Sequence, residues 1–356
     1  MDGRPLVCAP FEKRTLFRRH AVGCRVTGLP NLPLLGPQDA PGGRPRLPEW
    51  FKVKAPGGPA YAAIKQALRE RGLSTVCEEA RCPNLAECWS GGAGGKGVGT
   101  ATIMVMGGTC TRGCRFCSVP TGRPGALDPE EPRKASETVG IMGVGYVVVT
   151  SVDRDDLPDG GADHFGRVIE RLKADHEDLL VEVLTPDFQG DTKALQRVIA
   201  ARPDVVAHNV ETVRRVTPLI RDRRAGYDQS LEVLRVYKQL GARFTKTSLM
   251  LGLGETEEEV EACLRDLRAA GVDIVTFGQY LRPTQHERHL PVLEFVHPDQ
   301  FARYQALAQR MGFLYVASGP LVRSSYKAGE LFRVGLIAGA AVSGTGVAAA
   351  SRRYAA

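Results

Sequence analysis

The sequence has no long hydrophobic run. The uncharged stretch Val334–Ala350 holds 17 residues, most of them Ala, Gly, Ser and Thr. A membrane-spanning helix needs about 20 predominantly apolar residues, so this stretch reads as a tail and no membrane is expected as a partner. No secretory hydrophobic region is present either. The central chain also lacks a basic surplus. The formal charge is +7, but residues 1–50 carry +4 and residues 338–356 carry +2, which leaves +1 for everything between. A nucleic-acid binder concentrates Lys and Arg on its folded face, so no nucleic acid is expected as a partner. An even cysteine count is missing as well. There are nine cysteines, six of them between Cys77 and Cys117. Disulfide scaffolds belong to short secreted chains with even counts, so clustered thiols in 356 residues point to metal ligands in a reducing compartment.

What is present suits a globular protein. Hydrophobic residues make up 43% and charged residues 24%, enough apolar surface for a full core. Residues 1–45 contain Pro5, Pro10, Pro30, Pro33, Pro37, Pro41 and Pro45 and show no period, so an irregular extension is expected there. Its arginines allow a transit peptide as the alternative, against which stand Asp2 and Glu12. From residue 100 the chain is rhythmic. Apolar, β-rich runs appear at Thr102–Met106, Tyr146–Thr150, Leu180–Leu184, Val205–His208, Phe244–Leu251 and Ile274–Tyr280, with amphipathic stretches between them. In Thr256–Ala270, Thr256 and Glu259 predict a capping box, and Val260, Cys263, Leu264 and Leu267 form one apolar face. Six βα units predict a parallel sheet, either doubly wound or an incomplete barrel; in a barrel the site gathers at the C-terminal strand ends.

Directly after the first strand comes Cys110-x3-Cys114-x2-Cys117. Three thiolates at this spacing suit three irons of a cubane cluster, which leaves the fourth iron open. A structural zinc site usually takes four protein ligands, and no fourth Cys or His lies near. A second triad, Cys77, Cys82 and Cys88, precedes it at C-x4-C-x5-C, which is no common zinc spacing. Near the end stands Arg323-Ser324-Ser325-Tyr326, which alone would pass as a polar loop.

The first triad, with Phe116 at its aromatic position, resembles the radical S-adenosylmethionine (SAM) enzymes. Both triads with Arg323–Tyr326, and with Arg46–Trp50, Cys77–Asn84, Ser151–Leu157 and Ser318–Pro320, closely resemble the lipoyl synthases from Pro45 to about Phe332. The resemblance implies an incomplete (β/α)6 TIM-type barrel with an N-terminal cluster-bearing extension and a C-terminal extension. It divides the chain into an irregular 1–45, a segment 46–99 with auxiliary cysteines, a barrel with the Arg323–Tyr326 segment at 100–332, and a low-complexity tail at 333–356. It implies two 4Fe-4S clusters and SAM as cofactors. Cys110, Cys114 and Cys117 correspond to the ligands of the SAM-binding cluster, and Cys77, Cys82, Cys88 and Ser325 to those of the auxiliary cluster. The implied reaction inserts two sulfurs, taken from the auxiliary cluster, at C6 and C8 of an octanoyl-lysine. An aliphatic C–H has no acidity to exploit, so a radical must activate it.

The implied partners are octanoylated lipoyl carrier proteins, namely the lipoyl domains of 2-oxoacid dehydrogenase complexes and the glycine cleavage H protein. Reduced ferredoxin or flavodoxin is the implied electron donor. The expected compartment is the cytoplasm, with the mitochondrial matrix as alternative. For SAM, the strand ends point to Ser151, Asn209 and Glu211. Ser248–Glu255 resembles the family's adenine-contact motif, with Ser248 and Met250 as departures. Gly108 stands where the family usually has an aspartate. Two alternatives remain at this stage: another sulfur-inserting radical SAM enzyme (a methylthiotransferase or biotin-synthase-like enzyme), and a zinc-stabilised module without catalysis.

Overall fold

The computed structural model describes residues 47–51, 65–66, 75, 82, 84–89, 99–326 and 328–329. The expectations for 1–45, Cys77 and 333–356 lie outside these residues. A short helix, α1 (Leu85–Trp89), precedes seven strands: β1 (Thr100–Val105), β2 (Tyr146–Ser151), β3 (Leu180–Leu184), β4 (Val205–Ala207), β5 (Thr245–Leu251), β6 (Ile274–Gln279) and β7 (Tyr315–Ser318). Between them lie α2 (Glu131–Met142), α3 (Ala162–Asp175), α4 (Thr192–Ala200), α5 (Thr217–Ile220), α6 (Tyr227–Gln239), α7 (Glu257–Ala269) and α8 (Pro298–Arg310).

All strands pair in parallel with their sequence neighbours, and the sheet stays open between β1 and β7. This is the expected incomplete TIM-type barrel, with one strand more than the six βα runs. The extra strand, β7, has only Val316 fully buried, so its four residues show no readable period.

Parallel strands covered by helices are apolar on the outer face, and alternation then sends every second side chain inward. Val147, Val149, Val181 and Val183 pack with Val139, Phe165 and Val168 of the helices in one core, while Leu249, Val275 and Phe277 pack with Val260, Leu264 and Phe301 in another. The intervening positions face the barrel interior, and several are polar. There Lys246 Nζ donates to Glu182 Oε1 and Oε2 at 2.8 Å each, and Tyr146 donates to Glu182 Oε2 at 2.7 Å. The expected capping box of α7 is complete, and Cys263 is buried in the core.

Candidate active site

The loop after β1 begins with a sharp bend. Met106 has φ +67° and Gly107 φ +88°. Such a conformation is costly for methionine, and it is fixed from two sides. Met106 N donates to Glu131 Oε2 at 2.9 Å, and Arg154 Nη1 reaches its carbonyl at 3.4 Å. The loop is closed by Cys110 N to the Pro120 carbonyl and Gly122 N to the Cys110 carbonyl, each at 2.9 Å.

Each of the three cysteine sulfurs accepts a backbone N–H. Arg112 N and Asp153 N donate to Cys110 Sγ at 3.4 Å, Asp222 N donates to Cys114 Sγ at 3.3 Å, and Val119 N donates to Cys117 Sγ at 3.4 Å. N–H groups aimed at sulfur are the outer support that cluster thiolates need. Burial pushes the thiols up, Cys110 to about 12 and Cys114 to about 11, so the thiolate forms only when a bound metal displaces the proton to solvent. Among the described residues no three His, Cys, Asp or Glu converge on one ion. A cubane does not ask for that, because each cysteine binds a different iron. The residues therefore fit a four-iron cluster.

Arg112, two residues beyond Cys110, anchors the loop to the barrel. It is buried, with Nη2 to Asp155 Oδ1 at 2.7 Å and Nη1 and Nη2 to Asp187 Oδ2 and Oδ1 at 2.7 Å each. Asp153 Oδ1 lies 3.4 Å from Nη1. Burial raises the Asp153 carboxyl to about 6, with Arg112 opposing the rise. Asp222 accepts from Gly113 N at 2.9 Å and pairs with Arg224, which holds it far below the carboxylate range. Arg288 Nη2 donates to the Cys117 and Val119 carbonyls at 2.7 and 3.1 Å.

The three residues expected to touch SAM sit at the C-terminal strand ends. Ser151 closes β2, and Asn209 and Glu211 follow β4. Ser151 Oγ and Asn209 Oδ1 are buried and have no hydrogen-bond partner. A buried polar atom is rarely left so, and both fit a ligand that brings its own donors. The Glu211 carboxyl is raised by burial, with Arg221 and Asn209 opposing the rise. Its backbone, at φ +69°, bridges β5 through Glu211 N to the Ser248 carbonyl at 3.1 Å and Met250 N to the Glu211 carbonyl at 2.8 Å. In the adenine-like motif Glu255 caps the turn instead, accepting from Gly252 N and Leu253 N at 2.5 and 2.9 Å.

Beneath Asn209 lies His208, fully enclosed. Nδ1 meets the Thr185 carbonyl at 3.0 Å, Nε2 meets Ser230 Oγ at 3.0 Å, and Arg221 Nη1 donates to that hydroxyl at 2.7 Å. The chain of donors fixes the Nδ1–H tautomer. Burial, then Arg221, lowers the ring from 6.5 to about 4. As pH falls below 6.5 the unfolded chain takes up a proton that the folded ring refuses, so stability falls until pH 4. The expected loss from this ring is about 1.4 kcal/mol between pH 7.5 and 5.5. Chemical denaturation of wild type and His208→Gln at both pH values measures it; an equal pH slope in the two chains refutes it.

A second pocket is lined by Cys82, Asn84, Leu85, Cys88, Thr100, Thr102, Arg323, Ser325 and Tyr326. Two cysteines before the barrel thus meet the serine after β7. Thr100 and Thr102 are inward positions of β1, so the pocket opens on the barrel interior beside the open seam. Asn84 Nδ2 donates to the Leu321 carbonyl at 2.6 Å and ties the two segments together. Gly278 of β6 permits the approach of the second, since a Cβ there would overlap the Val322 carbonyl oxygen. Two thiols and a hydroxyl in one pocket fit an iron–sulfur cluster. Arg112, Asp187 and Asp222 were not anticipated from the sequence; no spacing links residues so far apart.

Fold and site together define a radical SAM enzyme, and the model of that superfamily matches residues 104–267. HydG from Carboxydothermus hydrogenoformans, an FeFe-hydrogenase maturase, shares the fold at TM-score 0.50 and 12% identity, over 79% of this chain and 81% of that one. The model of the N-terminal domain of lipoyl synthase matches residues 38–82. The lipoyl synthase of Anaeromyxobacter sp. is 56% identical over 295 residues, 82% of this chain and 97% of that protein. Those of Thermus thermophilus and, named mitochondrial, of Danio rerio are 56% and 54% identical, over 80% and 83% of this chain and 86% and 74% of theirs. The chain belongs to the lipoyl synthase family. It is an enzyme that works with 4Fe-4S clusters and SAM on a protein-bound octanoyl group.

Proposed function

We propose that Cys110, Cys114 and Cys117 hold the SAM-binding cluster, and that Cys77, Cys82, Cys88 and Ser325 hold an auxiliary cluster that serves C6 and C8 of the octanoyl chain. The meeting of Cys82, Cys88 and Ser325 in one pocket carries this reading. When bound, the cofactors supply a 5′-deoxyadenosyl radical and the sulfur atoms. The chain's own part is placement and exclusion of water. Ser151, Asn209 and Glu211 orient SAM at the strand ends, and the barrel interior between them and Thr100–Thr102 encloses the acyl chain. A hard serine oxygen leaves iron more readily than a fourth thiolate, which suits a cluster that is consumed. Residues 46–99 then form the segment with the auxiliary cysteines, and 100–332 the barrel with its closing serine.

Charge supports an acidic partner at the cluster face. Arg115 and Arg123, in and just after the cysteine loop, and Arg288, bonded to its carbonyls, form no ion pair among the described residues, whereas arginines such as Arg133, Arg171, Arg214 and Arg265 are paired. Reduced ferredoxin or flavodoxin, lipoyl domains and the glycine cleavage H protein are the proposed partners. Two reduced thiol triads call for a reducing compartment, the bacterial cytoplasm or the mitochondrial matrix. The test is anaerobic reconstitution with iron and sulfide, then SAM, reductant and an octanoyl-lysyl peptide. Lipoyl product is expected; deoxyadenosine without sulfur insertion refutes the assigned substrate.

A further inference from the structure

We propose that Arg323 is the counter-charge of the auxiliary cluster, a positioning residue that makes its pocket selective for an anionic occupant. The inference rests on the reading of Cys82, Cys88 and Ser325 as ligands. Arg323 lines their pocket. Its Nη1 donates to the Val322 carbonyl at 2.8 Å and the Gln279 carbonyl at 3.4 Å. Nε and Nη2 have no acceptor, and no carboxylate lies in ion-pair range among the described residues.

The two fully buried arginines among the described residues are handled differently. Arg112 holds Asp155 and Asp187 at 2.7 Å, and Arg154 holds Asp156 at 2.8 Å. An arginine carries five N–H donors and stays charged, so placing one in a pocket without an anion is costly. Arg323 is partly buried and has no carboxylate partner of this kind among the described residues. The missing anion has an obvious source. A doubly positive iron–sulfur core held by three thiolates and an alkoxide carries net negative charge. Arg323 is also set firmly. Gly319 N donates to the Phe277 carbonyl at 3.2 Å and Gln279 N to the Pro320 carbonyl at 3.3 Å, which seats the segment on β6.

A mere strut and a counter-charge behave oppositely. A strut stabilises the protein with or without metal. A counter-charge strains the metal-free protein and stabilises the loaded one. In full-length Arg323→Met, the metal-free thermal midpoint is expected to match or exceed wild type. After reconstitution, auxiliary iron and sulfide are expected to be lost to a chelator about 10- to 100-fold faster, the range seen when outer-shell partners of a metal are removed. Arg323→Lys, which keeps the charge, restores most of the retention. The second cluster's reduction potential shifts negative in Arg323→Met. Wild-type iron retention in Arg323→Met, or a lowered metal-free midpoint, overturns the proposal while leaving the ligand reading intact. Absence of a second cluster in the unsubstituted chain overturns that reading as well.

Discussion

Exchange of Cys82 and Cys88 for alanine, alone or with Cys77, is expected to leave SAM cleavage in place and abolish sulfur insertion. The argument is spatial. The cysteine loop is supported by Asp153, Asp222, Arg112 and Arg288, none of which lines the second pocket. That pocket is built from α1, the inward face of β1 and the segment after β7, none of which bonds a sulfur of the loop. Removing its thiols therefore subtracts one metal site and leaves the other's ligands, N–H donors and anchoring ion pairs untouched. Cys88 packs against the first core, but a single partly buried thiol is a small share of it. Iron in the reconstituted variant should fall from about eight to about four per chain. Deoxyadenosine should still form with SAM and reductant, while lipoyl product should be undetectable. The converse variant, with Cys110, Cys114 and Cys117 exchanged, should lose both products. Normal sulfur insertion by the Cys82/Cys88 variant would sink the division of labour between the sites.

The sequence spoke clearly where a local rule was at work. Each of the six apolar runs coincides with a strand to within two residues at either end, because parallel strands covered on their outer face read as near-continuous apolar segments. The capping box of α7 was legible for the same reason, since all its partners lie within four residues. Ser151 and Asn209 were reached through the rule for strand ends in barrels, and their unpartnered oxygens fit it. Ser325 was reached only by resemblance. Nothing in Arg-Ser-Ser-Tyr marks a ligand, and its place beside Cys82 depends on β7, a strand too short and too exposed to show a period. Arg112 and Asp187 illustrate the other limit. Their contact joins the loop after β1 to the loop after β3, and no periodicity encodes a pairing between distant polar residues.

That pairing carries the second large expectation. Arg112→Met should destabilise the protein by about 3–5 kcal/mol at pH 7.5, the range for breaking one side of a buried ion pair. Asp187 has no exposed side-chain surface and Asp155 little, so both would be left without the guanidinium that pays for their burial. In the intact protein Asp187 sits below the ordinary carboxylate value because Arg112 overcomes the burial that pushes it up. Without Arg112, burial wins, and the folded carboxyl rises above its unfolded value. A group of that kind binds its proton more tightly folded than unfolded, so the deficit shrinks as pH falls through the raised value. The gap between wild type and Arg112→Met in denaturant midpoint should therefore be widest at pH 7.5 and narrower at pH 5.5. Arg112→Met with Asp187→Asn should recover part of the loss at pH 7.5, since an amide removes the stranded charge while still reaching Gln229, whose Nε2 now donates to Asp187 Oδ2 at 2.6 Å. The same variant tests the loop directly. Arg112 N donates to Cys110 Sγ, and Thr111 N is bonded to the Asp153 carbonyl at 3.1 Å, so a loop freed from its anchor should take up less iron at Cys110, Cys114 and Cys117. A variant with wild-type stability at both pH values, and with unchanged iron at the first site, would show that the three carboxylates hold the loop without the arginine between them.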